Sequence, residues 1–103
     1  MSAYLKNEKT YRKLVREFVA QKIDAETFTK KFMTQWKNDR DHQWAEIENG
    51  EKPSEKESEF CEILDQIFTA CDCYESEPEE KHEIDYGQLL SEVSQLTSKR
   101  WSF

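Results

Sequence analysis

Hydrophobic positions recur along this chain with helical spacing, and no segment shows the strict alternation of a half-buried strand. Tyr11, Leu14, Val15, Phe18 and Val19 fall at i, i+3, i+4, i+7 and i+8, the stripe an amphipathic helix turns toward a core. A first helix is predicted from about Asn7 to Gln21, with Lys9, Arg12, Lys13 and Arg16 on its outer face. Asp24 is placed to cap a second helix, because its short carboxylate can accept from the free N–H groups of the first turn. That helix carries Phe28, Phe32, Met33 and Trp36 and is predicted to reach about Trp44, with a bend or break in the polar stretch Asn38-Asp-Arg-Asp-His42.

Glu48-Asn-Gly-Glu-Lys-Pro53 is the clearest loop, punctuated by glycine and proline. Ser54 and Glu57 then have capping-box spacing. A third helix is predicted from Glu55 to Tyr74, with Phe60, Ile63, Leu64, Ile67, Phe68 and Cys71 along one side. Ser76 to Glu83 reads as an acidic loop. Asp85 and Gln88 cap a last helix from Tyr86 to about Lys99, with Leu89, Leu90, Val93 and Leu96 inward, and Trp101 and Phe103 folding back over one end of the core. Four amphipathic helices and modest loops predict an all-α fold, an antiparallel four-helix bundle spanning residues 1–103 as one domain.

Composition supports a folded chain. Hydrophobic residues make up only 36%, but the 103 residues include six Phe, four Tyr and three Trp, and a disordered chain would be poor in aromatics. Two Gly and two Pro leave the helices almost uninterrupted. No apolar run approaches the roughly 20 residues of a membrane span, and the start Met1-Ser-Ala-Tyr-Leu-Lys lacks the apolar core of a secretion signal. A cytoplasmic protein is expected. Three cysteines, an odd number, fit reduced thiols.

Charge changes the picture most. Glu46 to Asp85 hold fifteen carboxylates against Lys52, Lys56 and Lys81, a net −12, while the flanking segments carry +4 and +1 within a whole-chain −7. Such crowding weakens a compact state by self-repulsion, so it asks for a cationic partner. Phosphates would be repelled by this face, and neither a nucleic acid nor a membrane is an expected partner. The basic face of the first helix reads as a solvated counterweight to the acidic segment. Asp72, Glu75 and Glu77 gather at a helix C-terminus, where the helix dipole disfavours them. Tyr74 and Trp44 lie among acids in sequence, as interface aromatics often do.

Catalytic chemistry finds little footing. His42 and His82 sit in polar surroundings, and no dry pocket offers a carboxyl of raised pKa. Gly50 and Gly87 alone cannot build a phosphate loop. Cys71-Asp-Cys73, with Cys61 and His82, lacks the paired spacing of a zinc site, since positions 71 and 73 on a helix point about 200° apart. No enzyme activity, cofactor or metal is expected. Cys61 and Cys71 read as small core residues.

Phe68-Thr-Ala-Cys-Asp72-Cys-Tyr74-Glu75-Ser-Glu77, followed by Glu83-Ile-Asp85 and a closing amphipathic helix, resembles the C-terminal half of the colicin D immunity protein family. Phe18-Val-Ala-Gln-Lys22-Ile23-Asp-Ala-Glu-Thr-Phe28 resembles its first helix–turn–helix. Together these cover about two thirds of the chain and leave Lys37 to Glu59 unmatched. Here Ser76 follows Glu75, with Pro78 later, where the family pattern has proline directly after the glutamate. The resemblance implies a helical immunity protein acting as a monomer in a 1:1 complex. Its partner would be the nuclease domain of a tRNA-cleaving bacteriocin or contact-dependent inhibition toxin. It implies that Asp72, Tyr74, Glu75, Glu77, Glu79, Glu80 and Glu83 form the toxin-binding, RNA-mimicking face. The rival reading of the residues is an acidic helical adaptor for another basic protein.

Overall fold

The computed structural model describes residues 3–48, 50, 54–98 and 101. Among them are five helices: α1 (Ala3–Lys6), α2 (Glu8–Val19), α3 (Ala25–Glu48), α4 (Glu55–Cys73) and α5 (Tyr86–Ser98). The fold is all-helical, and the described residues contain no strand beyond an isolated bridge between Tyr74 and Ile84. α3 packs on α1, α2 and α4, while α5 lies against α4 and α2.

The apolar stripes meet as their spacing requires. Tyr11, Val15 and Phe18 of α2, Phe28 and Phe32 of α3, Leu64 and Ile67 of α4, and Leu89 and Val93 of α5 are fully buried. Aromatic contacts join the elements. Phe18 stacks on Phe28 at 4.2 Å, and Tyr11 meets Phe32 edge-on at 5.4 Å and Phe60 at 6.2 Å. Pairs of this kind contribute about 0.5–1.5 kcal/mol beyond the area they bury. Trp101 does fold back: it is buried, stacks on Phe60, and has the Arg12 guanidinium 5.4 Å from its ring. Phe103 lies outside the described residues.

The helix starts are fixed by the side chains expected. Asp24 Oδ1 accepts from Thr27 N at 2.7 Å, Ser54 Oγ from Glu57 N at 3.2 Å, and Asp85 Oδ1 from Gln88 N at 2.9 Å. α2 ends at Val19, short of the predicted Gln21. Gln21 adopts a left-handed φ of 60°, with its N–H on the Phe18 carbonyl and that of Lys22 on the Glu17 carbonyl. This is a Schellman turn in which a side chain stands where glycine is usual.

Two expectations need correction. The chain forms a further short helix, α1, ahead of the predicted start at Asn7; Ala3 and Tyr4 are buried there, and Ala3 N donates to Gln43 Oε1. The stretch from Asn38 to His42 does not break α3, which runs unbroken for 24 residues. Its inward-facing acid, Asp39, is only 1% exposed, yet Asn7, Tyr11 and Gln35 all donate to it. A buried carboxylate so supplied with donors is tolerated in a helix interior. Arg40 meanwhile lies over the Trp36 ring.

Candidate functional site

Asp72 is exposed on the last turn of α4, and Glu75, Glu77, Glu79 and Glu80 are exposed in the segment that follows. Tyr74 is half-buried at the helix end, where the backbone leaves helical geometry with ψ 132°. The segment is pinned at both ends. Glu75 N donates to the Ile84 carbonyl at 3.0 Å, and Ile84 N donates to the Cys73 carbonyl at 2.9 Å. Buried Ile84 anchors this closure to the core. Residues 75–83 therefore project as one loop from the junction of α4 and α5.

Glu83 differs from the other acids. Its Oε1 accepts from the backbone N–H groups of Glu79 at 3.0 Å and Glu80 at 2.7 Å. These bonds hold its carboxyl below the usual carboxylate range, with the nearby His82 adding to the effect. Glu83 thus organises the loop, while Glu75, Glu77, Glu79 and Glu80 leave their carboxylates to solvent.

The Tyr74 hydroxyl titrates above its ordinary value. Partial burial is the largest cause, followed by the negative charges of Glu26, Asp24 and Glu75. The charges of Asp24 and Glu26, at the start of α3, therefore act on Tyr74 together with that of Glu75. Sequence spacing had no means of supplying these two, since the pairing is set by long-range packing. Tyr86, 36% exposed and edge-on to Phe18 at 5.8 Å, stands at the same end.

The long acidic run does not act as one body. Glu55, Glu59 and Glu62 face solvent near the start of α4, with Lys56 among them. Glu55 and Asp72 are separated by about 25 Å along the helix at about 1.5 Å per residue. That exceeds two Debye lengths at physiological salt, about 8 Å each, so the loop end is electrostatically separate from the start of α4. Trp44, though 60% exposed, is about 27 Å along α3 from Glu26 and does not belong to the Tyr74 surface.

The cysteines are free thiols. Burial pushes Cys71 up to about 12 and Cys61 up to about 11, neighbouring carboxylates adding to both. They are poor nucleophiles. His42 Nδ1 sits 2.9 Å from the Asn38 carbonyl on its own helix. Among the described residues no helix is long and apolar enough to cross a membrane.

Bacterial self-protective colicin-like immunity proteins form a family whose pattern matches residues 8–99. The chain belongs to that family. No curated protein and no solved structure matches it. The colicin-like immunity family is non-enzymatic and acts by binding a cognate toxin protein.

Proposed function

We propose that this colicin-like immunity protein binds and inhibits the nuclease domain of a tRNA-cleaving toxin, in the manner of the colicin D immunity proteins. We infer a scaffold in which α2 to α5 form an antiparallel four-helix bundle, with the protein a cytoplasmic monomer in a 1:1 complex. The last turn of α4 presents Asp72, and the acidic loop after it presents Glu75, Glu77, Glu79 and Glu80, to the basic cleft of the toxin, in place of RNA phosphates. Glu83 shapes the loop from within.

One observation carries the reading: Asp72, Glu75, Glu77, Glu79 and Glu80 are exposed together at the end of α4 and on the loop pinned there by the Glu75–Ile84 and Ile84–Cys73 hydrogen bonds, next to the half-buried Tyr74. A nuclease that grips RNA must present lysine and arginine, so a concentrated negative surface is complementary to it. Such complementarity raises encounter rates toward roughly 10⁸–10⁹ M⁻¹s⁻¹ at low salt. Tyr74 supplies the central contact to be desolvated, on the order of 2 kcal/mol, while the rim glutamates act mainly on the rate.

The test is the variant D72K/E75K/E77K, made at exposed positions so that helical content is kept. Cells expressing it should lose protection against the cognate toxin, and the purified variant should no longer co-elute with the nuclease domain. Full protection by this variant refutes the assignment of the interface.

A further inference from the structure

An open groove of about 700 Å³ runs between α2 and α3. Lys13, Lys30 and Lys31 line it with Thr10, Thr34 and Gln35, and Leu14 forms part of its apolar wall. One carboxylate, Glu17, offsets part of the charge. None of the three lysines makes an ion pair or a side-chain hydrogen bond among the described residues. Lys13, from the basic face expected to be a solvated counterweight to the acidic segment, is joined here by Lys30 and Lys31 of α3. Arg12 pairs with Glu8 and Arg40 with Asp41, each within its own helix.

The walls of the groove come from α2 and α3 alone, with no residue of the acidic loop among them. Three ammonium groups, only partly offset by one carboxylate, in a trough flanked by hydroxyl and amide donors favour a polyanion. Lysine acts on phosphate as a point charge, whereas carboxylate ligands are better matched by the planar fork of arginine, which the groove lacks. A trough between two helices also suits a strand better than a flat bilayer. No aromatic side chain lines it, so bases have no platform on which to stack.

We propose that the α2–α3 groove binds the phosphodiester backbone of an RNA strand through Lys13, Lys30 and Lys31, without reading its sequence. This inference goes beyond the toxin reading and does not rest on it. Within a whole-chain charge of −7, these three lysines gather in one trough. Binding is electrostatic and falls with salt, with a log–log slope of about −2 for three phosphates at about 0.7 each on a single strand.

The experiment is fluorescence anisotropy of a short labelled RNA of mixed sequence, titrated with the whole protein at several salt concentrations and with no toxin present. The expected result is saturable binding at low salt with that slope, unchanged for a second RNA of different sequence. K13Q/K30Q/K31Q should weaken binding about tenfold or more while circular dichroism is unchanged. The control K56E/K81Q, which changes net charge by the same amount outside the groove, should weaken it by less than about threefold. Absence of binding at low salt overturns the proposal, as does equal loss in both variants. Binding to phosphatidylserine vesicles or to a glutamate-rich peptide in place of RNA overturns it as well.

Discussion

The Tyr11 hydroxyl donates a 2.6 Å hydrogen bond to Asp39 Oδ2, tying α2 to the middle of α3 with both side chains shut off from solvent. Asn7 Nδ2 reaches Oδ1 of the same carboxylate at 2.8 Å, and Gln35 Nε2 approaches both oxygens at 3.1 Å. Burial, this bond and the negative charge of Asp39 together drive the Tyr11 hydroxyl far above its ordinary titration range. Three neutral donors converge on one acid.

Asp39→Ala should therefore be among the most damaging single changes outside the aromatic core. It strands the Tyr11 hydroxyl in particular, and a buried donor left without an acceptor costs about 1–3 kcal/mol. A total loss of about 3 kcal/mol is expected in urea unfolding. Tyr11→Phe removes one partner only and should cost about 1 kcal/mol. The double variant should then be less destabilised than the sum of the two, because the losses share one contact.

Glu83 makes the acidic loop sensitive to pH. Its folded-state pKa is depressed by the Glu79 and Glu80 amides, so its contribution is present above the unfolded value near 4.5. That contribution is lost as pH falls through the lower folded value. In an NMR titration the Glu83 carboxyl should titrate below the usual glutamate range, with the Glu79 and Glu80 amide signals following the same curve. Glu83→Gln should abolish that coupled titration and leave the helices unchanged.

Trp36 and Asp65 form the opposite case. The Trp36 indole N–H donates to Asp65 Oδ1 at 3.1 Å, and the ring stacks on Phe68 at 4.0 Å. Partial burial raises the Asp65 pKa, with the indole bond working against the shift and Glu62 adding to it. Any stability linked to protonated Asp65 is thus present at low pH and lost as pH rises through the folded value. Asp65→Asn keeps the acceptor and removes the charge, so at pH 7 it should stabilise the fold by less than about 1 kcal/mol, the site being partly solvated. Trp36→Phe should raise the Asp65 pKa further by NMR titration.

Periodicity and capping chemistry made most of the helices legible in advance. Phe18, Phe28, Leu64 and Val93 are buried as their spacing required, and Asp24, Ser54 and Asp85 each accept the expected first-turn N–H. α1 escaped because four residues are too few to show a period. The continuity of α3 escaped because Asp39 reads as a surface acid until Tyr11 and Asn7 are brought to it from elsewhere in the chain. The same limit applied to the candidate surface. Local sequence pointed to Asp72 through Glu83, but it could not reveal that Glu83 turns its carboxylate onto its own loop. Nor could it reveal that the charges of Asp24 and Glu26 reach Tyr74, which packing alone decides.

The left-handed Gln21 has a consequence for that arrangement. By reversing the chain within a few residues, it delivers the beginning of one helix to the finish of another, so the tyrosine's surroundings are discontinuous in the primary structure. A peptide cut from residues 68–85 would carry the glutamates but not Asp24 and Glu26, whose charges also act on Tyr74. Grafting this surface onto another scaffold thus means transplanting both segments in register.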